Sequence, residues 1–122
     1  MKPFQASITL DFSKGNGFVT DQGLQLPQHE GLVIEWVSAA QFVPQGAGGS
    51  FGITTIAAGV QAFHALETSS SPTTDGNVNI TTSRMVRIRA DAGTVIRVGG
   101  SRSINKGSQF ASFVISGYLE ES

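Results

Sequence analysis

The sequence contains no cysteine and only two histidines, His29 and His64, among its 122 residues. The missing thiols exclude a disulfide framework, a thiolate nucleophile and a cysteine-ligated zinc site. A cupin-type metal site needs two histidines one residue apart, with a further histidine and a glutamate, and that spacing is absent. We therefore expect neither a metal nor a bound cofactor.

The chain also has no long apolar run. No stretch reaches the roughly 18 apolar residues that a membrane span requires. The first twelve residues alternate apolar and polar side chains, instead of forming the apolar run of a signal peptide. We expect a soluble chain without a membrane span or a visible export signal, and these observations leave its compartment open.

The length is that of one domain, and we expect a single domain over 1–122 without internal repeats or a linker. A chain of this size buries roughly two-thirds of the surface that it exposes when unfolded. Hydrophobic residues make up 39% of the sequence. A hydrophobic core can therefore hold the domain together without a metal or a disulfide.

Charged side chains are scarce and unevenly distributed. Residues 1–83 carry two lysines and six acids, whereas residues 84–122 carry five arginines, one lysine and three acids. The net charge of −1 gives no general attraction to nucleic acid, and no aromatic side chains accompany the basic residues for stacking on bases. We expect no nucleic-acid partner, and the arginine cluster between Arg84 and Arg102 is the charge feature to explain.

Apolar and polar residues alternate with a period of two in several segments, as in half-buried strands. Residues 6–13 and 109–119 show this alternation, and residues 31–42 are apolar on both faces except at Glu35, as expected of a central strand. Many such short strands separated by turn formers predict an all-β fold, an antiparallel β-sandwich. The long returns between apolar strands favour jelly-roll or Greek-key connections over a meander.

Other segments are less regular. Residues 18–19 and 24–26 predict two short strands on either side of a turn. In residues 53–67 alanine is frequent, and Ile56, Val60, Phe63 and His64 could share a helical face. Gly59 and the β-branched residues before it nevertheless favour two strands that meet near Gly59. Residues 68–77 are polar and predict a loop.

The segment RMVRIRADAGTVIRVGG, residues 84–100, predicts a hairpin with Asp91, Ala92 and Gly93 as its turn. In that register Arg87 faces Arg97, and Arg89 lies on the same outward side. Like charges that face each other across strands cost a few tenths to about 1 kcal/mol. Another group should therefore offset the repulsion.

Three kinds of group could offset it. A carboxylate on a neighbouring strand is one, with Glu35 and Glu67 as candidates. An acid of a second subunit is another, with Glu120 and Glu121 as candidates, and a bound anion held by the guanidinium groups is the third. We treat Arg87, Arg89, Arg97 and Arg102, with Glu120 and Glu121, as a predicted oligomer or anion contact.

Three short motifs resemble known proteins. LVIEWVSA at 32–39, ADAGT at 90–94 and SGYL at 116–119 resemble a group of small uncharacterised bacterial β-sandwich proteins. In those proteins we expect ADPGT, so Ala92 is a departure, and the resemblance implies no activity. The closing FVISGYL, 113–119, is similar to the last strand of C1q/TNF-like jelly rolls, which typically assemble as trimers. Neither resemblance transfers a functional residue.

Catalytic patterns are weak, and we expect no enzyme. No serine lies in a G-x-S-x-G motif. His64 and Glu67 are three residues apart, which places them on opposite faces of a strand, and His29 and Glu30 follow a proline in a loop. Asp11 and Glu35, both predicted on strands, leave a two-carboxylate glycosidase open.

The leading function is a non-enzymatic structural or binding module. The strand predicted at 31–42 is apolar on both faces, but the second sheet of a sandwich covers only one of them. We expect another subunit to cover the other face, which favours a closed homo-oligomer, such as a trimer. The polar loops 13–17, 44–50 and 68–77 would then meet a partner.

The alternative is a lectin-like module that binds a glycan through loop residues such as Asp75 and Asn77 around an exposed aromatic. A small hydrolase is the third alternative. Trp36 could be a sugar-stacking platform, but its apolar neighbours favour a place in the core.

Overall fold

The computed structural model describes residues 1–12, 19–103 and 110–121. These residues form nine strands and no helix. The strands are β1 (Lys2–Asp11), β2 (Val19–Gln25), β3 (Glu30–Pro44), β4 (Gly49–Ala57), β5 (Val60–Leu66), β6 (Ser69–Pro72), β7 (Asn77–Ala90), β8 (Val95–Arg102) and β9 (Phe110–Glu121).

The strands form two antiparallel sheets packed face to face, which confirms the predicted all-β sandwich. The first sheet has five strands in the order β1-β9-β3-β7-β6, and the second has four in the order β2-β8-β4-β5. Every pairing within the sheets is antiparallel. In the described ranges no helix is long and apolar enough to span a membrane.

The core lies between the sheets and is made by the inward side of each alternating strand. The rings of Phe51 and Phe113 meet across it edge to face, with centroids 5.9 Å apart, an arrangement that aromatic pairs prefer. Both rings are at most 2% exposed. The buried cluster includes Leu10, Phe12, Leu26, Leu32, Ile34, Val37, Ile53, Ile88, Ile96, Val98 and Ile115.

The predicted central strand is confirmed, since β3 is the middle strand of the first sheet. A β-bulge interrupts its pairing with both neighbours between Ile34 and Trp36. The bulge changes which face the next residue occupies, so Ile34 points into the core whereas Trp36 lies on the outer face and is 38% exposed. The expectation that Trp36 belongs to the core is therefore wrong.

The other predictions for single strands have mixed outcomes. The break near Gly59 is confirmed, because Ala58 and Gly59 form the turn between β4 and β5. The two short strands predicted at 18–19 and 24–26 are wrong for the described part, since Val19 to Gln25 form one strand; Phe18 lies outside the described residues. The predicted loop 68–77 contains the edge strand β6, which pairs with β7.

The hairpin predicted over residues 84–100 is wrong. Strand β7 belongs to the first sheet and β8 to the second, so residues 91–94 carry the chain across the sandwich. Gly93 adopts φ +74° in this crossing, and the Asp91 carbonyl accepts a hydrogen bond of 2.7 Å from the Thr94 hydroxyl. Arg87 and Arg97 consequently lie in different sheets and do not face each other across a strand pair.

Asp91 joins this crossing to the β4–β5 turn. Its carboxylate accepts hydrogen bonds of 3.0 Å from the backbone N–H groups of Ala58 and Gly59. These two residues have φ of +52° and +76°, and the left-handed conformation is unfavourable for alanine. The carboxylate therefore supports a turn that the local sequence does not favour on its own.

Replacing Asp91 by alanine should lower the free energy of unfolding by about 1–2 kcal/mol, because two charge-assisted hydrogen bonds are lost at a partly exposed site. Urea unfolding measures this as a lower midpoint with an unchanged slope. Asp21→Ala is the matched control, since within the described residues the ion pair of Asp21 is an exposed contact of 3.8 Å with Arg97 and such pairs contribute little. Equal midpoints for the two variants would contradict the role given to Asp91.

Candidate functional site

The outer face of the first sheet carries large apolar side chains that the core does not cover. Trp36 and Phe42 lie on the middle strand β3 and are 38% and 44% exposed, and Met85 on the adjacent β7 is 82% exposed. Met85 is paired directly with Trp36 across the sheet. Ser38 and Ala40 lie between Trp36 and Phe42 on the same strand face, so the middle of the face is formed by small side chains.

Most arginines of the cluster are paired within the chain. Arg89 donates a hydrogen bond of 2.9 Å to Glu120 on the outer face of the first sheet. Arg84 lies 3.6 Å from Glu67. The candidate acids Glu120 and Glu67 are thus the intrachain partners of Arg89 and Arg84.

Arg87 and Glu35 differ from these pairs. Within the described ranges neither side chain has an ion pair or a hydrogen bond, and both are exposed on the outer face of the first sheet. They are neighbours across the β3–β7 pairing at the bulge. A cation and an anion without intrachain partners therefore lie beside Trp36 and Met85.

The remaining candidate residues lie elsewhere. Arg97 is on the outer face of the second sheet, 3.8 Å from Asp21. Arg102 is 5% exposed, and its guanidinium group lies over the Phe12 ring at 4.6 Å from the centroid, a favourable cation–π contact. Burial lowers the pKa of Arg102. Arg102 is therefore not part of an exposed arginine face, and Glu121 is exposed at the end of β9.

Comparisons with protein families, curated proteins and solved structures returned no match. The function of this chain is therefore inferred from its surface residues.

Of the predicted ligand-loop residues, Asp75 lies in the tight turn between β6 and β7, and Asn77 is the first residue of β7. The Asp75 carboxylate accepts hydrogen bonds from the Thr73 hydroxyl and from the Asn77 backbone N–H. These bonds, the Thr73 bond foremost, hold the pKa of Asp75 below its usual value. The turn loses this support as the pH falls through that lowered pKa. The Asp75 carboxylate oxygens therefore already accept hydrogen bonds within this segment.

The ionisable residues considered for catalysis do not converge. His64 is partly buried on β5, His29 is exposed before β3, and the described part of the chain holds no group of three potential metal ligands. Asp11 pairs with Phe110, whereas Glu35 lies beside Ser116 and Gly117. At ~3.3 Å per residue the two acids are about 20 Å apart along the strands, well beyond the ~5–9.5 Å of a glycosidase pair.

One further cluster was not expected from the sequence. It is a cleft of about 200 Å³ on the outer face of the second sheet, and we call it the glycine cleft. Its lining includes Asp21, Ser50, Gly52, Phe63, Arg97 and Gly99. Glycine inside a strand often marks a place where something approaches the backbone closely, and that was the available signal.

Proposed function

We propose that this protein is a non-enzymatic structural module that assembles into a closed homo-oligomer through the outer face of the first sheet. The observation that carries the proposal is the exposure of Trp36, Phe42 and Met85 on the outer face of strands β3 and β7. Trp36 and Met85 are adjacent across the β3–β7 pairing, and large exposed apolar side chains that cluster on a protein surface mark an interaction surface. Aromatic residues and methionine are also enriched in the centres of interfaces.

The charges on the same face favour a second copy of the chain as the occupant. Arg87 and Glu35 lie side by side on it, each without an intrachain partner among the described residues. A symmetry axis can place the Arg87 side chain of one copy against the Glu35 side chain of the next, so a face that carries both charges suits a second copy of itself. The sequence predicted that Arg87 faces Arg97. In the proposed assembly Arg87 instead meets Glu35 of a second copy.

A trimer is the subunit number implied by the resemblance of 113–119 to C1q/TNF-like strands. We propose a jelly roll for the same reason, and the strand order supports it. The first four strands alternate between the sheets, as do β7, β8 and β9. With β6 set aside, eight strands remain in two four-stranded sheets, the number expected of a jelly roll.

The loop end of the sandwich is the surface that the assembly would present to a partner. The turn after β3 and the turn between β6 and β7 meet there, where Gln45 N–H donates to the Gly76 carbonyl at 3.2 Å. These turns belong to the predicted loops 44–50 and 68–77. The predicted loop 13–17 lies outside the described residues.

The test is the solution mass by multi-angle light scattering at low and high salt. For the unchanged protein we expect a multiple of the 12.8 kDa chain mass, three times that value for a trimer. Arg87→Gln should shift the mass towards the single chain, and rising salt should weaken the unchanged assembly because it screens the same ion pairs.

The matched control is Arg97→Gln, which removes an equally charged side chain from the opposite sheet and should leave the mass unchanged. A single-chain mass for the unchanged protein at both salt concentrations would overturn the proposal. Equal weakening by the Arg87 and Arg97 variants would also contradict it, because it would place the interface elsewhere.

A further inference from the structure

The glycine cleft has a floor without side chains. Gly52 on β4 is paired with Gly99 on β8, and Gly99 is paired with Asp21 on β2. Three neighbouring strands thus bring two glycines and a carboxylate together at the middle of the second sheet. The floor is therefore backbone at both glycines, and the Phe63 ring covers the part at Gly52.

Phe63 forms an apolar wall of this cleft. The side chain is 68% exposed, and its ring lies over Gly52, where a Cβ atom would come within 2.3 Å of ring atoms Cε1 and Cζ. The ring can take this position only because residue 52 is glycine. An exposed aromatic ring in the lining of a cleft gives the C–H groups of a ligand an apolar surface to pack against.

Polar groups complete the cleft. Asp21 and Arg97 lie 3.8 Å apart, and the hydroxyls of Ser50 and Ser101 are hydrogen bonded to each other. Thr54 adds another hydroxyl to the lining. The cleft therefore offers a strong acceptor, a strong donor and several hydroxyl groups that both donate and accept.

The charges favour a neutral ligand. An anion at Arg97 would meet the nearby Asp21 carboxylate, and a cation at Asp21 would meet Arg97. A neutral molecule with many hydroxyls can instead bond to both groups, donating to the carboxylate and accepting from the guanidinium. The volume, about 200 Å³, is below the ~300–1,000 Å³ typical of sites for drug-sized molecules, so the ligand is small.

We infer that the glycine cleft binds a single neutral pyranose unit of a carbohydrate. One face of a pyranose ring carries C–H groups that can stack on Phe63, while its hydroxyls bond to Asp21, Arg97 and the serines. This site differs from the loop residues Asp75 and Asn77. It also lies on the sheet opposite the proposed subunit interface, so it does not depend on assembly.

The test uses saturation-transfer difference NMR with the methyl glycosides of glucose, galactose, mannose and N-acetylglucosamine. We expect saturation of the C–H face of at least one glycoside, with binding in the millimolar range. Phe63→Ala should weaken that binding about tenfold, the loss expected when an aromatic contact is removed. Val60→Ala is the matched control, because Val60 is 66% exposed on the same strand but does not line the cleft.

Gly52→Ala tests the geometry without removing the ring. The added methyl group displaces the exposed Phe63 ring, so binding should again fall about tenfold, while thermal unfolding confirms that the variant is folded. The two arginine variants separate this inference from the proposed function. Arg97→Gln should weaken glycoside binding and leave the solution mass unchanged. Arg87→Gln should lower the solution mass and leave glycoside binding unchanged.

The inference is overturned if none of the four glycosides is saturated by the folded protein. Saturation of acetate or benzoate in place of the glycosides would also overturn it, since it would identify an anion site at Arg97. Equal loss of glycoside binding in the Phe63 and Val60 variants would show that the sugar does not contact the glycine cleft.

Discussion

Replacing Gly117 by alanine is expected to destabilise the protein by about 3 kcal/mol, the upper range for a forced steric clash. A Cβ atom at position 117 would lie 1.9 Å from the Val33 carbonyl oxygen and 3.0 Å from the Ile34 Cα atom. Both are backbone atoms of the middle strand β3, so no side-chain rotation can make room. Strand β9 would have to move away from β3 beside the bulge, which would weaken the first sheet at its centre.

Thermal unfolding measures this effect as a fall in midpoint temperature of roughly 10 °C for a domain of this size. Gly48→Ala is the matched control, because a Cβ atom there has no atom within 4 Å. The control should leave the midpoint nearly unchanged or raise it slightly, since alanine reduces the entropy of the unfolded chain. If Gly117→Ala unfolds at the same temperature as Gly48→Ala, the close approach of β9 to β3 is not present in solution.

The face that a residue occupies could be predicted from alternation alone over much of the chain. Leu10 on β1 and Phe113 and Ile115 on β9 are all buried, as a period of two requires. The same rule failed at Trp36, because one bulge residue shifts every later position on the strand to the other face. Nothing in the residues around Glu35 marks a bulge, so this change of face could not be foreseen.

The pairing of strands could not be predicted from the same pattern. Ile88 and Ile96 are both buried, and this is equally consistent with one hairpin or with two strands on opposite sides of a core. Sequential strands pair with each other often enough that the hairpin is the natural expectation. A sandwich whose strands cross repeatedly between sheets contradicts it, and the arginines of β7 and β8 are separated by that crossing.

The glycine cleft shows why a surface site is harder to predict than a core. Its residues come from β2, β4, β5 and β8, and Asp21 and Gly99 are brought together only by the sheet order. No short motif contains two of its polar groups in contact. By contrast, the apolar character of both faces of residues 31–42 was visible in the sequence, and the expectation of additional cover on that strand followed from it.

The second large effect is expected for Met85→Lys, which should weaken assembly about 100-fold. Met85 is 82% exposed and paired with Trp36, so it lies at the centre of the proposed interface but contributes little to the core. An unpaired charge buried at an interface costs about 2–5 kcal/mol, and about 2.7 kcal/mol corresponds to 100-fold in the association constant. Lysine at this position also adds a second cation beside Arg87.

Sedimentation over a range of protein concentrations measures this change, with Val60→Lys on the second sheet as the matched control. Val60 is 66% exposed and should tolerate lysine without loss of assembly. Because assembly stabilises the folded state by mass action, the unfolding temperature of the unchanged protein and of the Val60 variant should rise with concentration. The unfolding temperature of the Met85 variant should not rise with concentration. A Met85 variant that assembles as tightly as the Val60 variant would show that the outer face of the first sheet stays open to solvent.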